Sequence, residues 1–113
     1  MITIDASNKT LGRVASEAAK VLMGKHKATF AKNAVMGEEV TITNASKVKI
    51  SGNKAKQMEY VRYSGYPDGQ KIETYAMLVA RRGHGEAIRR AVLGMLPKNR
   101  LQMKRVKLLT IKK

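Results

Sequence analysis

The sequence predicts a small α/β domain built around a mostly parallel sheet. Short apolar runs of period two, at Ile2 and Ile4 and again at Val40 and Ile42, alternate with longer stretches of helical period. Strands interleaved with helices read as βαβ units. Hydrophobic residues make up 43% of the 113 positions, yet only four Tyr and one Phe are aromatic, so the core must be mainly aliphatic. There is no internal repeat and no linker-like shift in composition, which makes residues 1 to 113 one expected domain.

Taken in order, Ile2, Ile4 and Asp5 form a first strand that ends in the polar turn Ala6-Ser7-Asn8-Lys9, rich in side chains that bond their own backbone. Thr10 is the expected N-cap of a helix over residues 11 to 23. Leu11, Val14, Ala15, Ala18 and Leu22 share its apolar face, with Arg13, Ser16, Glu17 and Lys20 opposite. Gly24 suits a left-handed C-cap, and the cations of Lys25-His26-Lys27 favour the negative end of the helix dipole. Val40 to Thr43 alternates as a second strand. The segment Lys47-Val48-Lys49-Ile50 fits either a short strand or a helix-like turn before the break at Ser51-Gly52-Asn53.

Residues 59 to 64 are expected to be extended, and Gly65-Tyr66-Pro67-Asp68-Gly69 to form a loop, because Pro fixes φ and Gly permits positive φ. A helix is expected over 73 to 82. A second follows Gly83-His84-Gly85, with Ala87, Ile88, Ala91, Val92 and Met95 on one stripe and Pro97 as its stop. Val106, Leu108, Leu109 and Ile111 among Lys and Arg suggest a last helical turn or strand between Met103 and Lys113.

Charge narrows the function. The chain carries 23 Lys and Arg against 8 Asp and Glu, a net of +15. Up to residue 80 there are 12 basic and 7 acidic groups, whereas beyond it there are 11 and 1. Self-repulsion on that scale disfavours compaction unless a polyanion neutralises it, which makes nucleic acid the first partner to consider. The absence of cysteine excludes disulfides, a thiolate zinc site and a cysteine nucleophile, and points to the reducing cytosol. The first residues do not read as a secretory leader and no apolar run is long enough to span a bilayer, so no membrane partner is expected.

Catalytic motifs are missing. No Walker string occurs, and Gly83-His84-Gly85 lacks the third glycine of a dinucleotide fingerprint and follows no expected strand. His26 and His84 are flanked by basic or small residues in place of orienting carboxylates, and Glu38-Glu39, the one adjacent acidic pair, would point to opposite faces of a strand. The expectation is a protein that is not an enzyme, with no cofactor and no small-molecule substrate.

Three segments are candidate RNA contacts. Gly24-Lys25-His26-Lys27 offers side-chain and backbone donors to phosphate, although dipole complementation alone also explains it. Tyr63-Ser64-Gly65-Tyr66-Pro67 beside Arg62 and Lys71 offers stackable rings, or else covers the edge of the core. Leu96-Pro97-Lys98-Asn99-Arg100, with Lys104, Arg105 and Lys107 beyond, is a rigid helix exit loaded with cations. Arg13, on the polar face of the first helix, completes the set.

Together these strings resemble the bacterial-type large-subunit ribosomal protein L-thirteen family. The matching pieces are Ile4-Asp5-Ala6, Lys9-Thr10-Leu11-Gly12-Arg13, Gly24-Lys25-His26-Lys27, Asn44-Ala45 with Lys49, Ser64-Gly65-Tyr66-Pro67 and Gly94-Met95-Leu96-Pro97-Lys98-Asn99, which span nearly the whole chain. The resemblance implies a three-layer α/β/α fold with a four-stranded parallel sheet. It also implies binding to large-subunit ribosomal RNA, contact with neighbouring large-subunit proteins, a part in early subunit assembly and translation in the cytoplasmic ribosome, and no cofactor. An RNA-binding regulator outside the ribosome is the alternative. Departures from the family pattern are Tyr63 in place of His, Asp68 in place of Gly, Gly83-His84-Gly85 where Pro is common, and a shortened Arg100-Leu101-Gln102-Met103. The family's aromatic lead-in before Ile4 and its tail after Lys113 have no counterpart here, so contacts made by those ends are not carried over.

Overall fold

A computed structural model of the chain describes residues 1–29, 31, 33–35, 37–50, 52 and 54–113. The elements are β1 (Ile2–Asp5), α1 (Leu11–Met23), β2 (Val40–Thr43), a 3-10 turn (Ala45–Lys47), α2 (Lys54–Gln57), β3 (Glu59–Tyr63), β4 (Gln70–Thr74), α3 (Tyr75–Arg82), α4 (His84–Met95), α5 (Gln102–Val106) and β5 (Leu109–Ile111). Strands β1, β2 and β5 lie side by side in that order, all parallel, while β3 and β4 form a separate antiparallel hairpin.

The register explains which face of the sheet is covered. Ile2 pairs with Val40 and Ile4 with Ile42; Val40 in turn pairs with Leu109 and Ile42 with Ile111, so six aliphatic side chains share one face. The other face carries Thr3, Asp5, Thr41, Thr43 and Thr110, of which Thr3, Asp5 and Thr110 are exposed. Crossovers between parallel strands are right-handed, and two that step the same way across a sheet set their helices on the same side. The helical layer accordingly covers the aliphatic face. Ile4, Val40 and Ile42 meet α1, and α1 meets α4 in the most extensive contact between helices.

The expected α/β class and parallel sheet stand. The resemblance implied four strands; the described residues form three, and a further parallel contact shrinks to one bridge between Thr10 and Lys49. The chain from Lys47 to Ile50 is thus both alternatives in turn, a 3-10 turn and then a single paired residue. Positions 51 and 53 of the expected break lie outside the described residues.

Helix α1 spans the expected residues. Thr10 occupies the N-cap with extended backbone, but its side chain makes no capping bond; the Leu11 N–H instead donates to the Lys49 carbonyl at 3.1 Å. Gly24 closes the helix at φ 78°, where its N–H and that of Lys25 donate to the carbonyls of Val21 and Lys20. Gly37 lies so close to this end that a Cβ there would overlap the Leu22 carbonyl.

One reading needs correction. The helix expected over 73 to 82 starts at Tyr75, because Gln70–Thr74 pairs with Glu59–Tyr63 as β4 and Thr74 caps the helix, its Oγ1 accepting the Met77 N–H at 3.3 Å. The polar run Gln-Lys-Ile-Glu-Thr has little strand signature, and its pairing comes from the turn that precedes it. The closing segment is both helix and strand, α5 followed by β5.

Leu22 is fully buried, whereas Met103 is 55% exposed. Leu22→Ala should destabilise the fold by about 2–5 kcal/mol, and Met103→Ala by less than about 0.5 kcal/mol. Urea unfolding monitored by circular dichroism measures both, and equal shifts would contradict this placement of the core.

Candidate nucleic-acid interface

Arg13, Ser16 and Lys20 recur at three- and seven-residue spacing on the exposed face of α1, which forms one wall of a depression against α4. Its upper part is lined by Gly12, Arg13 and Ser16 from α1, Lys49 and Ile50 from the returning chain, Met58, and Ala91 and Met95 from α4. A second depression, lined by Ser16, Ala19, Lys20, Met23, Lys25 and Met95, continues it. The two share Ser16 and Met95, joined by the Ser16 hydroxyl donating to Met95 Sδ at 3.5 Å. The result is one path from Arg13 and Lys49 to Lys20 and Lys25, with no carboxylate among the described residues that line it. Cations along a concave low-dielectric wall concentrate positive potential.

The loop after α1 is less open than its sequence implied. Lys25 is exposed and faces this path. Lys27 Nζ lies 3.2 Å, and His26 Nε2 3.6 Å, from the Glu38 carboxylate. The hydrogen bond and charge of Lys27, with His26 adding to both, hold the Glu38 carboxyl below the usual range. An anionic ligand reaching Lys27 must therefore compete with Glu38.

The hairpin projects its candidate residues outward. Val61 faces Ile72 and Tyr63 faces Gln70 on one side, with Val61, Ile72 and Tyr63 all more than half exposed; Tyr66, at the tip, is 74% exposed. On the other side Arg62 opposes Lys71, and Tyr60 opposes Glu73. Of the two alternatives, Tyr63 and Tyr66 therefore do not cover the core; Tyr60 and Tyr75 do. The Tyr75 N–H donates to the Met58 carbonyl at 3.1 Å, and the Arg90 guanidinium lies 5.2 Å above the Tyr60 ring, tying the hairpin root to α4. Ser64 is exposed, and its N–H donates to the Gly69 carbonyl to close the turn. Glu73 binds Arg81 of α3 through two hydrogen bonds of 2.8 Å, which hold its carboxyl below the usual range.

At the exit of α4, Lys98, Arg100 and Lys104 are exposed. Asn99 is exposed too, but its Oδ1 accepts the Leu101 N–H at 3.0 Å and its carbonyl the Gln102 N–H at 3.2 Å, so it shapes the turn. Arg105 departs from the expectation: it is 1% exposed, with Nη2 donating to the Ala34 carbonyl at 3.4 Å. One turn of α5 sends Lys104 outward and Arg105 inward, a division that a run of cations does not reveal. Lys20 and Lys49 also line the groove, although neither stands among the candidates that the sequence offers. Helical spacing from Arg13 was enough to find Lys20, but Lys49 reaches the groove only through its bridge to Thr10.

Among the described residues no group of three or more His, Asp or Glu is placed to hold a metal ion, and no helix is long and apolar enough to cross a membrane.

A family model for ribosomal protein L13 matches residues 1–112. The chain belongs to the ribosomal protein L13 family. It is 47% identical over 108 residues to the large ribosomal subunit protein uL13 of Moorella thermoacetica, covering 96% of this chain and 74% of that protein. The uL13 protein of Natranaerobius thermophilus is 49% identical over 109 residues, covering 96% and 76%, and that of Treponema pallidum strain Nichols 49% over 104 residues, covering 92% and 72%. The L13 family is one of ribosomal structural proteins and not of enzymes, in keeping with the missing catalytic motifs.

Two measurements check the geometry. A carboxyl held low by a folded-state partner adds stability above the ordinary carboxylate range and loses it as pH falls through the lowered value. The Glu73 carboxyl should therefore titrate below the ordinary glutamate range by carbon-13 NMR and move up in Arg81→Gln. Arg105→Ala should destabilise the fold by about 2–5 kcal/mol, as for other large buried side chains, whereas Lys104→Ala should leave the urea midpoint nearly unchanged.

Proposed function

We propose that this chain is a structural component of the large ribosomal subunit that binds large-subunit ribosomal RNA, and so supports early subunit assembly and translation in the cytoplasm. One observation carries the reading. The seam between α1 and α4 is lined by Arg13, Lys20, Lys25 and Lys49 without an opposing carboxylate among the described residues. Phosphate contacts by such side chains position a protein on RNA and supply most of its affinity. Exposed Lys98, Arg100 and Lys104 extend the cationic surface, and Arg62, Tyr63, Ser64 and Tyr66 on the hairpin add rings and donors suited to unpaired bases. The relatives are named as proteins of the large ribosomal subunit, which supports the same assignment and makes neighbouring large-subunit proteins its further partners. Asn99 contributes through the shape of its turn, and Arg105 through the core.

The decisive experiment is sedimentation of a lysate with the protein quantified by mass spectrometry before and after a high-salt wash. Stoichiometric migration with large subunits through the wash is the expected result. Recovery only in light fractions would favour an RNA-binding regulator outside the ribosome.

The phosphate contacts have their own readout. Arg13→Ala and Lys25→Ala should each flatten the dependence of log affinity for large-subunit RNA on log salt by up to about one unit. Lys27→Ala should have the smaller effect, since Lys27 already holds Glu38. A slope unchanged in all three variants would remove this seam from the interface.

A further inference from the structure

We infer that the upper end of the α1–α4 groove receives an unpaired nucleotide of the bound RNA, its base against Ile50, Met58 and Met95 and its phosphate against Arg13 and Lys49. The inference rests on the RNA-binding reading above and specifies what one part of that surface recognises.

The depression encloses about 590 Å³, within the ~300–1,000 Å³ range typical of pockets that hold small ligands. Its floor is apolar, with Leu11 8% exposed and Ile50, Met58 and Ala91 half-buried, while Met95 stands 41% exposed at the wall. Polar groups are few and of the kinds a nucleotide engages: the cations of Arg13 and Lys49 for phosphate, the hydroxyls of Thr10 and Ser16 for sugar or base edges. A paired base in an A-form helix cannot enter such a recess, whereas a bulged or looped base splays out and can bury its face against apolar side chains.

Gly12 strengthens the case. It lies in the first turn of α1, where glycine is a poor helix former. Its φ is not positive, and a Cβ built on it would meet nothing within 4 Å. Neither backbone conformation nor packing within the chain requires a glycine there. The open space it leaves is the mouth of the groove beside Arg13, and a flat ring entering from outside is what a larger side chain would obstruct.

The test uses the full chain and two RNA hairpins of equal length, one with a single bulged 2-aminopurine and one fully paired. The chain should bind the bulged RNA more tightly by about fivefold or more, as burial of one base against apolar side chains would give, and binding should change the 2-aminopurine fluorescence. Gly12→Leu, which fills the mouth with a better helix former, should bring the affinity ratio toward one, with thermal unfolding confirming the fold. Met95→Gln, which removes apolar wall at an exposed position, should lower the ratio as well. Equal affinity of the unaltered chain for the two RNAs, or a preference that survives both substitutions, overturns the inference while leaving phosphate binding intact. Failure to bind either RNA would instead count against the RNA-binding reading itself.

Discussion

The fold depends on the burial of one face of α1. Ala15, Ala18 and Ala19 lie between larger Val14 and Leu22, and all five are buried. Small side chains let helices approach closely, and here they bring α1 against α4 while the same helix covers β1 and β2. Because α1 is common to the sheet and to α4, loosening it would separate both. A chain with a net charge of +15 works against its own repulsion, so this aliphatic seam must hold together what the surface pushes apart.

The few acidic residues are distributed to the same end. Glu17 pairs with Lys9, Glu73 with Arg81 and Glu86 with Arg90, while Glu38 takes both Lys27 and His26. Exposed pairs add little stability individually. Their larger effect is positional: Glu73 docks α3 on the hairpin and Glu38 shapes the loop after α1, while Asp5 accepts from Ser7 and Asn44 to close the turn after β1. With these five carboxylates turned to internal partners and none among the described residues lining it, the groove between α1 and α4 is left to cations. That asymmetry favours an anion in the groove, since acid along its walls would repel negative charge at short range.

The hairpin has a different physical character. It stands apart from the parallel sheet and is anchored at its root by Tyr75, Tyr60 and Arg90. Val61, Ile72 and Tyr63 remain exposed along one side. Rings and apolar groups presented on such an arm complement the groove, which offers charge and a recess.

The sequence by itself determined the elements with regular period. The apolar stripe of α1, the left-handed Gly24 and the alternation in β2 each follow from local geometry: helical faces repeat every 3.6 residues, strand faces every two, and positive φ favours glycine. It also set the strongly cationic character of the chain, since net charge is a property of composition. Tertiary structure alone decided which cations line the groove. Lys104 and Arg105 are neighbours with opposite fates, Lys27 is held by a glutamate eleven positions away, and Lys49 joins Arg13 only because its backbone bridges to Thr10. The polar strand β4 was equally illegible, because its pairing with β3 is imposed by a turn and not by its own side chains. Local pattern reports what one segment prefers, whereas a binding surface is assembled from segments distant in sequence, and their approach is settled by the burial of the common core.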